Sequence, residues 1–415
     1  MKKRYLIVIS FLILGSFYWL NFKVDNSTKN IIGVYIEGEY SNSVPLKDSG
    51  YYVEKIECDN GSSGEWDYVN WGLLTTNMSK KSKCNVYFRK DTIVNSIKNE
   101  LDTTGKCPIV NDDGTVNVTS AESENSLLCM APDNYGTSYY FRGNVPNNYV
   151  YFANFYWRIV RINGDGSIRI IYDGTSAHDN GEASNDRIIG ASAFNEKSDD
   201  NAYVGYMYGT PNSATYEETH ANINDSTIKK YVDNWYENSI KDTEHEKYLS
   251  DNLFCNDRRI SDYDSDGRSQ LGYGKNYTVY AGAYGPWSAP QGTNNALIDL
   301  YCHQINDSFT VSDKTYGNGN LKYAIALLTK RETILAGSYQ GNVKFYLYSN
   351  YYLWTLTPDG YSSDHSIIRL QGKDGQANST AISNNVEIGV KPVINLKQGS
   401  LKLGDGTINN PYRIN

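Results

Sequence analysis

Three aspartates at alternate positions are the residues of this 415-residue sequence whose spacing best suits a defined chemistry. Asp262, Asp264 and Asp266 precede Gly267, and three carboxylates with a glycine for a sharp turn suit a hard cation such as Ca²⁺. An EF-hand loop would continue to a glutamate at its twelfth position, where this chain has Tyr273. Two interpretations therefore stay open: a Ca²⁺ site, which would be the chain's one cofactor, or a solvated acidic turn.

Residue patterns of known catalytic centres are scarce in this chain. The five histidines are scattered, and the sequence contains neither a His-x-x-x-His zinc pair, nor a Gly-x-Ser-x-Gly motif, nor a phosphate-binding loop. His178-Asp179 could act as an acid–base pair, although this dipeptide is also typical of a polar turn. The sequence thus predicts a protein that is not an enzyme, with a carboxylate dyad assembled by the fold as the alternative.

Charge and composition narrow the classes of partner. The net charge is −8, from 39 basic and 47 acidic residues, and nucleic-acid binding needs an excess of Lys and Arg. Nucleic acid is therefore excluded as the main partner. The 37 tyrosines are unusually numerous. They cluster at 139–140, 149–151, 203–208, 273–284 and 346–352. Tyrosine suits glycan stacking and protein recognition, but it also covers sheet surfaces in β-rich exported domains.

The first residues predict the compartment. Lys2, Lys3 and Arg4 precede sixteen uncharged residues, 5–20, which would span roughly 24 Å as a helix. A basic cluster stays on the cytoplasmic side, so the rest of the chain is expected outside. We predict that residues 1–24 form a transmembrane signal anchor of a single-pass cell-membrane protein whose bulk is extracytoplasmic, at the cell surface; a cleaved signal peptide is the alternative.

The six cysteines agree with an oxidising compartment. All lie after the apolar segment, and an even number in an exported chain indicates disulfide bonds. Fifteen pairings are possible, and six reduced thiols are a further alternative. Grouping along the sequence favours the pairs Cys58–Cys84, Cys107–Cys129 and Cys255–Cys302. On the chain-entropy model each bond would stabilise the fold by roughly 3–4 kcal/mol.

Beyond a polar spacer at 23–30, the sequence shows both the alternating pattern of strands and the helical spacing of apolar residues. Alternating strands and the turn dipeptide Asn60-Gly61 predict a small β domain, with Trp66 and Trp71 in its core. The sequence predicts these boundaries: 1–24 signal anchor, 25–90 small β domain, 91–134 helix and disulfide-stapled connector, 135–398 large domain, and 399–415 C-terminal tail strand.

Local signals place several elements within these regions. Asp91 is predicted to cap a helix over 91–101, Asp225 to open another, and Thr329 and Glu332 to form a capping box. Two alternating runs at 155–174 flank a turn, which predicts a hairpin with Arg158 and Arg161 on opposite faces. Pro392 favours an edge strand or a bulge near the C terminus.

Several of these segments resemble one family of exported surface proteins of Gram-positive bacteria. The resemblance rests on residues 151–175, 225–255 and 321–337, on the motif Trp354-x-x-Thr357-Pro358, and on GVKPVINL at 389–396. More remotely, the domain resembles the C-type-lectin-like fold shared with formylglycine-generating enzymes. This likeness implies an α+β, mainly β, lectin-like fold for residues 135–398. The lectin calcium–sugar motif and the enzyme's late cysteine pair do not match, so neither activity is implied.

Taken together, the sequence predicts a membrane-anchored, outward-facing binding or adhesion protein. Its expected partners are a glycan or a surface protein, and the membrane through the N-terminal helix. Two alternatives stay open: an extracytoplasmic enzyme acting on cell-wall or host polymers, and an envelope structural protein without a discrete ligand.

Overall fold

The computed structural model describes seven stretches of the chain. They are residues 31–79, 82–110, 116–117, 125–261, 270–283, 298–382 and 388–414. The predicted signal anchor, 1–24, and the predicted calcium ligands Asp262, Asp264 and Asp266 lie outside the described residues. None of the helices within these seven stretches is long and apolar enough to cross a membrane.

The described residues form two compact units. One comprises residues 31–66 and 72–89, and the other comprises 67–71 and 90–414. Residues 91–134 and 399–414, predicted as a separate connector and tail, therefore fall within the second unit. Both units are built mainly of strands, and the second also contains short helices, in agreement with the predicted mainly β class.

The first unit contains a four-stranded sheet in the order β2–β1–β6–β3 and a hairpin of β4 and β5. Strands β1 and β6 run parallel, so that Val34 pairs with Val86 in the buried layer. Trp66 packs edge-on against Phe88 with ring centroids 5.0 Å apart, which confirms its predicted place in the core, whereas Trp71 is half-buried in the turn after β4. The strands are β1 Ile31–Ile36, β2 Glu39–Ser41, β3 Tyr51–Cys58, β4 Ser63–Asp67, β5 Gly72–Thr76 and β6 Lys83–Lys90.

The second unit is organised by a seven-stranded sheet in the order β19–β23–β13–β12–β10–β9, with β11 also paired to β12. A four-stranded sheet follows the order β17–β20–β21–β22, and three two-stranded pairs complete the described strands. The strands are β7 Ile109–Val110, β8 Val116–Asn117, β9 Leu127–Asp133, β10 Gly136–Arg142, β11 Tyr149–Phe152, β12 Phe155–Ile162, β13 Ile168–Gly174, β14 Met207–Tyr208, β15 Asn224–Asp225, β16 Phe254–Cys255, β17 Thr278–Val279, β18 Ser308–Phe309, β19 Ile325–Ala326, β20 Leu353–Ser362, β21 His365–Gln371, β22 Ala377–Ala381 and β23 Val393–Leu396.

Among the described residues, four α-helices and five single 3₁₀ turns accompany these sheets. The helices are α1 Thr92–Lys98, α2 Tyr216–Thr219, α3 Thr227–Ser239 and α4 Lys330–Leu335. The 3₁₀ turns are Asn185–Arg187, Asn201–Val204, Glu246–Tyr248, Ala281–Ala283 and Ile305–Asp307.

The helix caps follow local side-chain chemistry. The Asp91 carboxylate accepts a hydrogen bond from the Val94 backbone N–H at 3.0 Å, which confirms the predicted cap of α1. Thr329 and Glu332 form the predicted capping box of α4. The predicted start of α3 at Asp225 is wrong by one residue: Ser226 caps the helix, and Asp225 ends β15.

The hairpin of β12 and β13 forms as predicted, but a bulge changes which side chains share a face. Arg158 pairs with Ile171 and Arg161 with Arg169, so Val160 is an extra residue without its own partner. Ile171 and Arg169 are two residues apart and share one face of β13. Arg158 and Arg161 therefore lie on the same face of the sheet, and their predicted placement on opposite faces is wrong.

Strand β23 is an interior strand, paired to β13 on one side and to β19 on the other. The edge-strand prediction at Pro392 is therefore wrong. Because Pro392 stands immediately before the strand, the ladder loses no N–H donor, while the Pro392 carbonyl still accepts a hydrogen bond from the Tyr172 N–H.

All three predicted disulfide bonds are present: Cys58–Cys84, Cys107–Cys129 and Cys255–Cys302. No cysteine of the chain is left free. Grouping along the sequence succeeded here because each bond closes a loop of 22 to 47 residues within one unit.

Candidate functional site

A cleft in the second unit brings charged side chains together from distant parts of the chain. The space between its walls is about 570 Å³, open solvent included. Its charged lining residues are Arg161, Arg169, Asp257, Arg331 and Glu332, and the rest of the lining includes Leu253, Cys255, Gly282, Leu300, Tyr301, Thr329 and Thr357. The cleft thus combines charged groups with one partly exposed aromatic ring.

Glu332 is the centre of the cleft floor. One of its carboxylate oxygens accepts hydrogen bonds from Arg169 at 2.6 Å and Arg161 at 3.2 Å, which stand side by side on the hairpin. The other accepts from the Thr329 N–H in the capping box at 2.9 Å. Burial alone would raise the pKa of Glu332, but Arg169 and Arg161 outweigh it and lower that pKa to about 2. The carboxylate is therefore ionised and fixed, which suits a positioning role better than proton transfer.

Arg161 and Arg169, here called the floor arginines, are held by further hydrogen-bond partners. Arg161 donates to the Asp133 carboxylate at 2.6 Å and to the Ser138 hydroxyl at 3.1 Å. Arg169 donates to the Asn395 side-chain oxygen at 3.0 Å. The β-bulge at Val160 makes this arrangement available, because it turns Arg161 toward the face that Arg169 occupies.

Two further carboxylate–guanidinium pairs are partly exposed. Arg259 donates to both carboxylate oxygens of Asp257, through Nε at 2.8 Å and Nη2 at 2.7 Å. Arg331 donates through Nη1 to the Asp299 carboxylate and to the Asp299 carbonyl at 3.3 Å. The side chains of Arg259 and Arg331 are 32% and 25% exposed and that of Asp257 is 16% exposed, so these three groups can also reach a ligand. Asp299 is only 5% exposed and serves to hold Arg331.

His303 and Tyr301 extend the site. The Nε2 atom of His303 lies 3.9 Å from the Asp299 carboxylate. Burial, and then the positive charge of Arg259, lower the pKa of His303, so the imidazole is neutral at pH 7. The Tyr301 ring lies 6.2 Å from the His303 ring and is 41% exposed, which leaves it accessible for stacking.

The wall that carries Tyr301 is tied down by a disulfide bond and by hydrogen bonds, among them one from the Leu300 N–H to the Pro132 carbonyl of β9 at 2.8 Å. The Cys255–Cys302 bond joins it to β16. Asn134 holds the same segment through two hydrogen bonds, accepting from the Cys302 N–H at 2.7 Å and donating to its carbonyl at 3.0 Å. Gly282 lies elsewhere in the lining, where a Cβ atom would come within 2.5 Å of Thr357. These constraints fix the backbone around the cleft.

Sequence reasoning missed most of this site. It singled out Glu332 only as a helix cap, and it assigned no role to Asp257, Asp299 or Arg331. One signal was present: the predicted bond Cys255–Cys302 brings Asn256-Asp257-Arg258-Arg259 beside Tyr301-Cys302-His303. Pairing those two segments would have predicted a charged cluster next to an aromatic residue.

For His178-Asp179 the sequence left an acid–base pair and a polar turn open, and the structure favours the turn. His178 contacts two other carboxylates: Nδ1 lies 3.0 Å from Glu182, and Nε2 lies 2.8 Å from Asp186. Burial would raise the pKa of Asp186, but hydrogen bonds from Ser184, His178 and Thr175 outweigh it and lower that pKa. The cluster fixes the loop after β13 and lies outside the cleft.

The predicted tyrosine clusters divide between core and surface. Tyr140, Tyr149, Tyr206, Tyr280 and Tyr346 are buried, whereas the rings most open to solvent are elsewhere or at the cluster ends. These exposed rings are Tyr40, Tyr301, Tyr339 and Tyr352. The tyrosine of the cleft thus lies in none of the clusters.

A second buried charge cluster stabilises the sheet. Arg187 and Lys391 donate to the same oxygen of Asp173, at 2.8 and 2.9 Å, and Arg158 lies 3.9 Å from the other oxygen. Burial lowers the pKa of Lys391 to about 8 despite the nearby Asp173. All four side chains are buried, so we interpret this cluster as structural.

In the parts of the chain that the structure describes, no group of three or more His, Cys, Asp or Glu side chains could hold a metal ion. The predicted Ca²⁺ site at Asp262, Asp264 and Asp266 lies outside those parts and stays a prediction. In the comparisons with known proteins, no family model, no curated protein and no solved structure matched this chain.

Proposed function

We propose that this protein is an extracytoplasmic surface protein whose larger unit binds a glycan in the cleft of Glu332. The observation that carries the proposal is the combination of planar carboxylate–guanidinium pairs with the exposed ring of Tyr301. Sugar rings offer vicinal hydroxyl groups, which both donate and accept, and apolar C–H faces, which stack on aromatic rings.

The hydrogen-bonding groups of the cleft suit such a ligand. Asp257 and Glu332 supply acceptors in the lining, and Arg331 donates through Nη1 alone to the described residues. Its remaining N–H groups can therefore bind hydroxyl oxygens. Leu253 and Leu300 add apolar surface beside Tyr301.

The proposed location rests on two features. Three disulfide bonds indicate an oxidising compartment, and the basic and apolar residues at 2–20 suit a membrane anchor. The C-type-lectin-like fold stays our proposal for the larger unit, supported by the sequence likeness and by its mainly β architecture with short helices.

A glycan array probed with the full-length chain in detergent tests the function. We expect binding to a limited set of glycans, and we expect Tyr301→Ala to weaken it by roughly two- to twelvefold, since an aromatic contact contributes on the order of 0.5–1.5 kcal/mol. Tyr339→Ala is the matched control, because Tyr339 is 51% exposed but does not line the cleft.

Two results would contradict this proposal. Absence of binding across the array would remove its basis, and equal loss in both tyrosine variants would place the site elsewhere. Release of reducing sugar from a bound glycan would instead favour the alternative of an extracytoplasmic enzyme.

A further inference from the structure

The charged groups of the cleft balance one another once their ion-pair partners are included. The lining contributes Arg161, Arg169, Arg331, Asp257 and Glu332, and the partners Asp133, Arg259 and Asp299 do not line the cleft themselves. Together they are four guanidinium groups and four carboxylates. The charges of +4 and −4 therefore cancel. Each guanidinium already has a carboxylate within ion-pair distance.

The carboxylate–guanidinium pairs are also held by short or paired hydrogen bonds, which an anionic ligand would have to break. Asp133 and Glu332 are buried, and both accept short hydrogen bonds from the floor arginines. Asp257 holds Arg259 through two parallel bonds, a geometry that is stronger than a single contact. An anionic ligand would have to displace one of these carboxylates or be bound beside it.

Repulsion adds to this effect. Asp257 lines the cleft with its side chain 16% exposed, so a ligand carboxylate near it would face a like charge. Asp299 is only 5% exposed and acts through Arg331, whose positive charge it neutralises. The Tyr301 ring carries no charge and favours the apolar face of a sugar. The groups that remain available are dipolar hydrogen-bonding groups rather than a free cation.

We infer that the cleft selects neutral glycans and rejects their anionic counterparts, with Asp257 and Asp299 as the residues that determine this specificity. This inference rests on the proposed function and defines its ligand class. A neutral hexose unit keeps every ion pair intact, whereas a uronic acid or a phosphorylated sugar does not.

The test is an array that prints each neutral hexose glycan beside its C6-carboxylate form. For the full-length chain we expect neutral glycans to bind at least about tenfold more tightly than their carboxylate forms. Asp257→Asn leaves Arg259 without its carboxylate, and Asp299→Asn does the same for Arg331. Each variant should shift the preference toward the carboxylate form by about tenfold or more, and the shift should shrink at high salt.

The control is Asp225→Asn, which removes one negative charge from the same unit. Asp225 pairs with Lys229 at 3.1 Å, and neither residue lines the cleft, whereas the partner of Asp299, Arg331, does; the neutral-to-anionic ratio of Asp225→Asn should therefore stay at the wild-type value. Thermal melting of each variant reports whether it is folded. Because Asp257→Asn and Asp299→Asn alter separate ion pairs, either variant alone still tests the inference if the other fails to fold.

The outcomes separate the two proposals. Binding of glycans with a preference for the carboxylate forms would overturn this inference and leave the glycan-binding function standing. The same holds if Asp257→Asn and Asp299→Asn change the ratio no more than Asp225→Asn does. Absence of binding to every spot would overturn the function and this inference together.

Discussion

At the scale of single residues, Lys330 stands apart because its ammonium group is buried at the N terminus of α4. Burial, and then the positive charge of Arg369, lower its pKa to about 7, although Asp359 opposes the shift. Buried lysines are usually held in ion pairs. A pKa this low, however, means that keeping the Lys330 ammonium group protonated in the folded state costs free energy at neutral pH.

The effect of this lysine on stability has a definite sign. Because its pKa is lower in the folded than in the unfolded chain, the unfolded chain binds more protons between about pH 7 and 10.5. The free energy of unfolding should therefore rise with pH over this window, by about 1.4 kcal/mol per pH unit from Lys330 at most. Below pH 7 the lysine imposes a constant penalty.

Lys330→Met should remove this slope. We expect the variant to be more stable than the wild type at pH 7, by an amount on the order of 1–4 kcal/mol, and the difference to shrink by about pH 9. Urea unfolding at intervals from about pH 6 to pH 9 measures it. Lys344→Met, which changes an exposed lysine, is the control and should keep the wild-type slope. Parallel curves for wild type and Lys330→Met would show that Lys330 does not titrate in this range.

At the scale of elements, Glu332 connects helix α4 to the hairpin of β12 and β13. Its carboxylate accepts the Thr329 N–H at the start of the helix and hydrogen bonds from both floor arginines, so its loss would leave two buried guanidinium groups without their shared partner. We expect Glu332→Gln to lower the free energy of unfolding by about 3–5 kcal/mol.

Thr329, the other residue of the capping box, provides the comparison. Thr329→Ala removes only the cap and should cost about 1 kcal/mol, because the Glu332–arginine contacts survive. Denaturant unfolding of both variants measures the difference. Similar losses would show that capping, rather than the ion pairs, is what Glu332 contributes.

A disulfide bond fixes the wall of the cleft that bears Tyr301. Replacing Cys255 and Cys302 together by alanine should lower stability by about 4 kcal/mol on the chain-entropy model, since the bond closes a loop of 47 residues. Glycan binding should weaken as well, because hydrogen bonds alone, chiefly those of Asn134 and the one from Leu300 to Pro132, would then hold the segment. Removing the Cys58–Cys84 bond, which lies in the other unit, should lower stability by a similar amount and leave glycan binding unchanged. If both bond deletions changed binding equally, the segment that carries Tyr301 would not need the Cys255–Cys302 bond.

Sequence reasoning succeeded where an element is specified by neighbours in the chain. The capping box at Thr329 and Glu332, the hairpin turn and the three disulfide loops all depend on short-range chemistry. It failed at Val160, because nothing in an uninterrupted alternating strand marks the residue that will bulge. It also missed the cleft, because Arg169, Asp257 and Glu332 line one cleft only after two sheets and several loops have packed.

At the scale of the whole molecule, the abundance of tyrosine has a structural explanation. Many of the 37 tyrosines contribute large rings to the core. Trp157, Tyr172 and Trp235, for example, pack against one another with centroids 5.6 to 6.1 Å apart. The composition that suggested recognition is therefore in good part a property of the interior, and the few exposed rings are the better candidates for binding.

Alkaline titration tests this account of the molecule as a whole. Burial raises the pKa of Tyr206, Tyr280 and Tyr346, so the folded chain keeps protons that the unfolded chain releases near pH 10. Each such group lowers the free energy of unfolding by up to about 1.4 kcal/mol per pH unit above pH 10, and several together should unfold the protein cooperatively. Tyrosinate absorbance should therefore rise in two phases: exposed rings near about pH 10, and buried rings only as circular dichroism reports unfolding. The chain in guanidinium chloride should instead give one phase near about pH 10. A single phase in the folded protein, completed before any loss of structure, would mean that these hydroxyl groups are open to solvent.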